Sequence, residues 1–478
     1  MPCTSVAPEL DAAGRARYVT EHLPRGLFRI ADDADTGVAW RVSPDPFPLK
    51  PATVAAIASL GDDLLAFYRA LNNLYLRSAR GTAPAFIAEE LDRGKPEQIV
   101  KLARQNRFKQ DVPRVIRPDL ILTDDGYVAS ELDSVPGGMG FTGALARTYC
   151  ELGTDSIGGA DGIAESFAAM LVAAAGAERP TVAVVVSAES NDYRAEMSWL
   201  AGRVDALGAA DVVVCGPQDI VFTEDALFVR RDDGRETKID VLYRNFELFD
   251  LLNIPKQELI LYAARHNRVR MTPPPKAHFE EKSSFALFHH PLLRKLWRAE
   301  LGETIDERLL GIFPQTWIVD PRPLPPQAAI MGLTANGLPV RQWSQLEDLG
   351  KSERDYVLKP SGFSELAWGS RGVKVANDLG REAWRDALHA AETSFPVTPY
   401  ILQRFHKGKR VRIPFLGTSS GELKEMDGRV RLCPYYFVTG DHTVLGGILA
   451  TVAPADKRLI HGMSDAVMAS CRTADDGF

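Results

Sequence analysis

The spacing of apolar residues predicts a helical first segment and an α/β segment that follows it. Between residues 50 and 110, apolar side chains recur at every third or fourth position, as in 53–60 and 64–68, which is the spacing of amphipathic helices. The alanine-rich residues 163–177 predict a further helix. Residues 181–186 form a short run rich in β-branched side chains and predict a buried strand.

The next part of the chain predicts a β-α-β unit. That strand is followed by a helix through 194–200 and by a second apolar strand, 211–214. A helix that crosses over between two strands makes them parallel, so we expect a small α/β substrate domain, to which residues 240–244 add a strand. Ligands collect at the carboxyl ends of such strands, and Asn191 follows the first strand.

Two proline-rich segments, 273–275 and 321–326, predict stiff connectors around a lid subdomain. The polar residues after about 455 are expected to fray. From these boundaries we expect an N-terminal helical region (1–110), a part that carries metal-binding carboxylates (111–178), an α/β substrate domain (179–275), a nucleotide-binding and lid region (276–455) and a C-terminal tail (456–478).

Composition and charge predict a soluble globular protein and disfavour two classes of partner. The net charge of −7 argues against nucleic acid or an anionic membrane as the main partner. No run of eighteen apolar residues occurs, and the N-terminus has no basic segment before an apolar stretch, so we expect neither a membrane span nor a signal peptide. The five cysteines are scattered without a C-x-x-C pair, so we expect reduced thiols and a cytoplasmic location.

Two carboxylates, Glu131 and Asp133, predict a site for a divalent cation. In an extended strand, residues i and i+2 point to the same face, so both side chains can direct oxygens at one point. Oxygen ligands of this kind suit Mg²⁺. Gly137 and Gly138 follow closely and allow the backbone to approach a bulky anion. The alternative is an ordinary exposed strand face.

A short apolar strand that ends in Lys359 leads into a loop of small residues, 361–372. A lysine at such a strand end can hold a nucleotide phosphate while loop amides cover it. Neither a Walker A loop nor a G-x-G-x-x-G fingerprint after a strand occurs, which disfavours P-loop and Rossmann-type nucleotide sites. The alternative is a surface lysine beside a mobile hairpin.

The order of motifs along the chain resembles that of circularly permuted ATP-grasp ligases, in particular eukaryotic-type glutathione synthetase and the synthetase domain of glutathionylspermidine synthase. The resemblance covers residues 117–451. Its motifs are R-x-D at Arg117, E-x-D at Glu131, D-V-x-Y-R ending at Arg244, a helix-opening lysine at Lys282, V-L-K-P around Lys359, a hinge strand (400–405) and a terminal hairpin (430–451). The fold implied is α/β (α+β), a permuted ATP-grasp with a small β-α-β substrate domain and a lid subdomain.

The resemblance also implies ATP and Mg²⁺ as cofactors and gives roles to named residues. The nucleotide-binding candidates are Lys282, Lys359, Ser361, Gly362, Gly369, Gln403, Arg404 and Phe405. The candidate metal ligands are Glu131, Asp133 and Glu365. The candidates for binding the substrate are Arg117, Ser134, Asn191 and Arg244, and those for catalysis are Arg117, Arg244 and Arg431.

Arginine binds carboxylates through two parallel hydrogen bonds, which favours Arg117 and Arg244 as ligands of the acid. For either arginine the alternative is an internal salt bridge, for example between Arg244 and Glu247. Arg431 is expected to stabilise charge on the transferred phosphoryl group, and its alternative is an exposed strand arginine.

The chain departs from the family pattern in its lid loop, where Phe363, Leu366 and Trp368 stand in place of glycines, and in two residue roles. Ala450 stands where an arginine is frequent, and Phe363 occupies the place of a third metal carboxylate, which makes Glu365 the candidate replacement. We expect an ADP-forming, ATP- and Mg²⁺-dependent carboxylate–amine ligase that acts through an acyl phosphate on a small amino-acid- or peptide-like acid and an amine. A homodimer is one option for its assembly. The alternatives are a small-molecule kinase on the same fold and a non-catalytic nucleotide-binding relative.

Overall fold

The computed structural model describes residues 3, 5, 9–24, 26–27, 41–367, 369, 371–417, 421–460 and 465–478. The α-helices in these ranges are α1 (Ala12–His22), α2 (Pro51–Ala79), α3 (Phe86–Asp92), α4 (Glu97–Ala103), α5 (Met139–Glu151), α6 (Gly162–Ala175), α7 (Arg194–Ala206), α8 (Gln257–Arg265), α9 (Ser283–His289), α10 (Arg294–Leu301), α11 (Glu303–Ile312) and α12 (Arg381–Ser394). None of these described helices combines the length and the apolar character that crossing a bilayer requires.

The strands in the same ranges are β1 (Arg41–Val42), β2 (Phe47–Leu49), β3 (Val115–Thr123), β4 (Gly126–Asp133), β5 (Thr181–Val186), β6 (Asp211–Cys215), β7 (Ile220–Phe222), β8 (Leu227–Arg230), β9 (Glu236–Lys238), β10 (Val241–Asn245), β11 (Arg270–Thr272), β12 (Thr316–Ile318), β13 (Thr334–Ala335), β14 (Leu338–Pro339), β15 (Tyr356–Pro360), β16 (Lys374–Val375), β17 (Tyr400–Arg404), β18 (Arg410–Leu416), β19 (Leu423–Thr439), β20 (His442–Pro454) and β21 (Val467–Thr473).

The largest sheet has the strand order β1-β21-β20-β19-β3-β4, with β18 paired to β19 and β2 paired to β21. Helices cover both of its faces, which is why the second half of β19 is buried at nearly every residue. Tyr436 donates a hydrogen bond of 2.5 Å to the carbonyl of Ile57 in α2. The ring of its neighbour Phe437 lies 6.2 Å from that of Phe167 in α6. The sheet thus holds β3, β4 and β19 rigidly side by side.

Two smaller sheets complete the surroundings of the candidate site. The parallel sheet β11-β10-β5-β6 has α7 as the crossover between β5 and β6, which confirms the predicted β-α-β unit. Strands β5 and β10 are buried along nearly their whole length, as their apolar sequences predict. The antiparallel sheet β12-β17-β15-β16 carries the strand that contains Lys359.

The expectation that residues beyond 455 fray is wrong for the described part of that segment. Strand β21 pairs in antiparallel register with β20 and in parallel register with β1 and β2. Its residues from Val467 to Cys471 are all buried. A short apolar run between polar neighbours is a weak signal in the sequence, and two of its three partner strands, β1 and β2, lie near the other end of the chain.

The expectation of five reduced cysteines is also wrong, because Cys3 and Cys150 form a disulfide across 147 residues. Cys215, Cys433 and Cys471 are free and buried, as packing residues are. Spacing along the chain gives no sign of this pair, since the fold alone brings its two ends together.

Candidate active site

Two neighbouring cavities lie between β3, β4, β19, the end of the parallel sheet and the loop after β15. The larger one, called here the main cavity, has a volume of about 420 Å³, and the smaller one, the small cavity, about 80 Å³. Their linings share Asp119, Glu131, Val373 and Arg431. A ligand group placed at these shared residues would therefore be in reach from both cavities.

The β3–β4 hairpin sets the carboxylates opposite one another. Its register places Asp119 beside Glu131 and Arg117 beside Asp133. An Arg117 Nη2 atom lies 3.0 Å from Asp133 Oδ2 and 3.2 Å from Asp119 Oδ1, and Arg431 Nη1 on β19 lies 2.8 Å from Asp119 Oδ2. Acidic and basic groups thus alternate across three adjacent strands, an arrangement suited to holding a charged ligand in a fixed orientation.

Burial and charge act against each other on the carboxylates of this layer. Burial alone would raise the pKa of Asp119, but Arg431 and Arg117 outweigh it and the pKa falls below the ordinary value. For Asp133 burial prevails and raises the pKa, although Arg117 and the amide of Val135 oppose the shift. Asp119 is therefore the more firmly ionised of the two.

Two buried lysines reach this layer from other elements. Lys282 Nζ, just before α9, lies 2.8 Å from Glu131 Oε1 and donates a 3.0 Å hydrogen bond to the carbonyl of Ala367. Lys359 Nζ donates to the carbonyl of Ser130 (2.9 Å) and to Gln403 Oε1 (3.0 Å). Because Lys359 is only 5% exposed, the surface-lysine alternative is wrong.

The surroundings shift the pKa values of the two lysines in opposite directions. Burial lowers the pKa of Lys359, and the positive charge of Lys282 lowers it further, while Glu131 opposes the shift. Burial also acts on Lys282, but Glu131, in direct contact, outweighs it and raises that pKa. An anion bound between the two ammonium groups, such as a nucleotide phosphate, would stabilise the charged form of Lys359 and raise its pKa.

The small cavity brings together the residues of the predicted hinge. Gln403, Arg404 and Phe405 line it with Lys359. Gln403 is fixed by a 3.2 Å hydrogen bond from its Nε2 to Thr316 Oγ1. The β12-β17-β15 pairing holds this row in place, and the apolar strands around it supply the walls that a flat ring would need.

The loop after β15 is anchored to α9 at its first residues. Ser361 is fully buried, and its Oγ accepts a 2.9 Å hydrogen bond from the amide of Ser283 and donates to Glu281. Gly362 follows, where a Cβ atom would lie 2.4 Å from the carbonyl oxygen of Glu280, so only glycine fits. Gly369, with φ of +61°, lines the main cavity.

Five of the sequence-predicted residues line neither cavity: Ser361 and Gly362, which anchor the loop, and Glu365, Asn191 and Arg244. Glu365 is exposed on a turn of the loop and lines neither cavity, so the structure does not bring it to Glu131 and Asp133. Asn191 is exposed and accepts a 3.1 Å hydrogen bond from Arg194, while its neighbours Asp192 and Tyr193 line the main cavity.

Arg244 also lines neither cavity, and it forms an internal ion pair. It is 1% exposed, and its Nη2 lies 2.7 Å from Glu280 Oε1 and 3.4 Å from the carbonyl of Pro274. It also donates to the carbonyl of Phe246. The salt-bridge alternative is thus the observed one, although the partner is Glu280 and not Glu247.

Sequence reasoning missed several polar groups of the main cavity. Glu196 of α7 accepts hydrogen bonds from the amides of Gly138 (2.6 Å) and Phe141 (3.3 Å), and burial raises its pKa to about 7. Burial, followed by the nearby Glu280 and Asp133, raises the pKa of Glu247 to about 8. No motif marks either glutamate, because their character comes from burial.

Several buried polar atoms along the main cavity lack a hydrogen-bond partner among the described residues. They are Arg117 Nε, Ser134 Oγ, Arg431 Nε and Thr451 Oγ1. Leaving such groups unpaired is costly, roughly 1–3 kcal/mol each. A polar ligand in the main cavity would satisfy them, so both the chemistry and the shape of this cavity suit ligand binding.

The donor set also decides what kind of metal site fits. The described residues contain no cluster of three or more His, Cys, Asp or Glu side chains arranged to hold a metal ion. Glu131 and Asp133 remain as an oxygen pair lining the main cavity. Mg²⁺ commonly takes one or two carboxylates and completes its shell with substrate phosphates and water, so the pair fits a magnesium ion that arrives with a nucleotide.

Comparison with known proteins bears on the fold. No protein-family model matches the chain, and no curated protein sequence matches it. A candidate gamma-glutamylcysteine synthetase from Methylobacillus flagellatus KT aligns over 80% of this chain and 86% of its own at 12% identity, with a TM-score of 0.41 that is too low to support an argument. A glutathione synthetase-like effector from Globodera pallida, solved in its apo form, aligns over 98% of both chains at 13% identity and a TM-score of 0.59. The chain therefore has a glutathione synthetase-like fold over nearly its whole length.

Proposed function

We propose that the protein is an ADP-forming ligase that joins a small amino-acid- or peptide-like acid to an amine, with ATP and Mg²⁺. The observation that carries the proposal is that the main and small cavities share Asp119, Glu131 and Arg431. Phosphoryl transfer requires a donor and an acceptor in line, with cations around the transferred group. Two cavities that meet at such charged residues offer places for a nucleotide and for an acid.

This proposal assigns a role to each charged residue of the two cavities. Lys282 and Lys359 hold the nucleotide phosphates, and Glu131 and Asp133 hold the metal. Bound Mg²⁺ supplies charge neutralisation across those phosphates. Arg117 orients the acid, whose carboxylate receives the phosphoryl group to form an acyl phosphate, and Arg431 stabilises the charge that develops during the transfer.

The second step needs a neutral amine, and the main cavity contains groups that can accept its proton. Glu196 and Glu247 line the cavity, and their pKa values of about 7 and about 8 lie near neutral pH, where a general base works best. The amine would attack the acyl carbon, phosphate would leave, and the proton would pass to one of these carboxylates.

One observation favours the non-catalytic alternative. Glu131 and Asp133 already have cationic partners in Lys282 and Arg117, at 2.8 and 3.0 Å. A protein that only binds a nucleotide would keep these pairs and would not need the metal. The metal dependence of binding therefore separates this alternative from the proposed ligase.

The test is calorimetric titration of a non-hydrolysable ATP analogue with and without Mg²⁺. We expect binding that Mg²⁺ strengthens and that Glu131→Gln weakens at least tenfold, while the exposed control Glu365→Gln binds like the wild type. Metal-independent binding would support the non-catalytic alternative, and a wild type that does not bind would refute the nucleotide site. ADP release from acid and amine pairs comes next, because a kinase would release ADP without an amine.

The location and assembly of the protein remain predictions. The cytoplasmic location was expected from scattered, reduced cysteines, but a Cys3–Cys150 disulfide is more usual in oxidising compartments. A homodimer also stays a prediction. Sedimentation of the purified protein would test the homodimer, and the redox state of this cysteine pair in cells would test the location.

A further inference from the structure

A third cavity, of about 370 Å³, lies beside β11, where β3 begins and β19 ends. We call it the arginine cavity, because Arg69, Arg107, Arg114 and Arg270 line it and Asp111 is the one carboxylate among its described lining residues. It shares no described lining residue with the main or the small cavity. Positive charge therefore exceeds negative charge in a pocket of small-molecule size.

Two of the four arginines have partners and two do not. Arg69 pairs with Asp441 at 2.8 Å, and Arg107 pairs with Asp111 at 3.2 Å. The side chains of Arg114 and Arg270 form no hydrogen bond or ion pair with any residue that the structure describes. A guanidinium group offers five donors, so these two present an unused set of donors to the cavity.

The surroundings of Arg114 show that its charge is poorly compensated. Burial lowers its pKa, Asp111 opposes this shift, and the positive charges of Arg270 and Arg69 add to it. Its backbone is fixed, since the amide of Val438 donates a 2.8 Å hydrogen bond to its carbonyl. The guanidinium thus lies near like charges that destabilise its charged form, and a bound anion would stabilise that form.

A second, independent observation comes from the hydroxyl of Thr272, the last residue of β11. This residue is 4% exposed and lines the cavity, yet its Oγ1 has no hydrogen-bond partner among the described residues. The Nε of Arg107, also in the lining, is buried without a partner in the same way. An anion with several oxygens could accept hydrogen bonds from these unsatisfied donors and pair with the two arginines.

We propose that the arginine cavity binds a small anion that carries two adjacent phosphate or carboxylate groups. One group would contact Arg114 and the other Arg270, with the Thr272 hydroxyl donating to the group nearer to it. Guanidinium groups bind such oxygens through paired hydrogen bonds, which makes arginine better suited to this task than lysine. The site is separate from the nucleotide site, so it stands whether or not the protein is a ligase.

The test uses inorganic pyrophosphate as the probe, titrated calorimetrically into the full-length protein at low ionic strength with EDTA. We expect Arg114→Gln and Arg270→Gln each to weaken binding at least tenfold and Thr272→Val to weaken it several-fold. The matched control is Arg412→Gln, an exposed arginine of β18 that lines none of these cavities, and it should bind like the wild type. Lys359→Ala should also leave this binding intact.

Three results would overturn the proposal: no binding by the wild type, binding that survives both Arg114→Gln and Arg270→Gln, or binding that Lys359→Ala alone removes. The last would place the pyrophosphate in the nucleotide site. If Arg114→Gln does not fold, as judged by circular dichroism, the exposed Arg270 decides the matter, with Arg270→Lys as the variant that should recover part of the affinity.

Discussion

Substituting Arg244 by Met tests whether this arginine serves the fold or the substrate. The two are of similar length, so the main loss is the charge that faces Glu280, where both side chains are almost fully buried (2% and 6% exposed). Removing one member of a buried ion pair costs about 3–5 kcal/mol, because the other charge stays uncompensated. Glu280 keeps a 2.8 Å hydrogen bond from the amide of Leu248, which offsets part of this loss. We therefore expect Arg244→Met to lower the free energy of unfolding by about 3 kcal/mol.

The assay is urea denaturation followed by tryptophan fluorescence and far-ultraviolet circular dichroism. The double variant Arg244→Met/Glu280→Gln should lose less than the two single losses added together, since it removes both charges. Arg230→Met is the control, because Arg230 pairs with Glu236 at 3.1 Å on the surface and should cost at most about 1 kcal/mol. If Arg244→Met is no more destabilising than this control, Arg244 is not a structural ion-pair partner and the assignment to the fold is refuted.

Three further predictions address the loop, the pH response and the disulfide. Gly362→Ala would place a Cβ 2.4 Å from a backbone oxygen, so the loop must shift, and calorimetry should show at least tenfold weaker binding of the ATP analogue. The control Gly380→Ala, where no atom lies near the added Cβ, should bind the analogue like the wild type. The pKa of Glu247 rises from 4.5 to about 8 on folding, so the folded state loses stability as the pH rises between these two values. Since glutamine does not titrate, the urea midpoint of Glu247→Gln should fall less between pH 5 and pH 8 than that of the wild type. Alkylation without reductant should leave Cys3 and Cys150 unlabelled in mass spectra.

Each of these predictions has a result that contradicts it. Equal affinity of the Gly362→Ala and Gly380→Ala variants would mean that the loop tolerates the extra atom without effect on the nucleotide. A urea midpoint whose pH response is the same with and without Glu247 would remove that group from the titration. Labelling of all five cysteines in the unreduced, denatured protein would show that the disulfide does not form.

Local pattern was enough for much of the fold. The strand Thr181–Val186 has the predicted bounds, and the crossover helix α7 contains the predicted residues 194–200. Both are fixed by short-range properties, namely β-branched side chains in a buried row and apolar residues at helical spacing. Strand β21 was missed because its pairing partners lie at both ends of the chain, and no local property of its residues indicates them.

The candidate site was predictable as far as its motifs extend. Lys282 contacts Glu131 at 2.8 Å and the charge of Glu131 also acts on Lys359, so the motifs bring these three residues close together, while their roles stay predictions. The partner of Arg244 could not be read from the sequence, because the neighbour that seemed natural, Glu247, is three residues away while the fold supplies Glu280 from 36 residues away. Burial, which gives the glutamates of the main cavity their raised pKa values, is a property of the assembled fold.

The pairing of β3 with β19 has a consequence for biosynthesis. The ion pair between Asp119 and Arg431 joins residues 312 apart, and a ribosome needs roughly 15–60 s to add that many residues. Until Arg431 emerges, Asp119 lacks this partner and the edge of β3 that pairs with β19 has no neighbouring strand. Ligand binding would then begin only when the last wall of the site is in place.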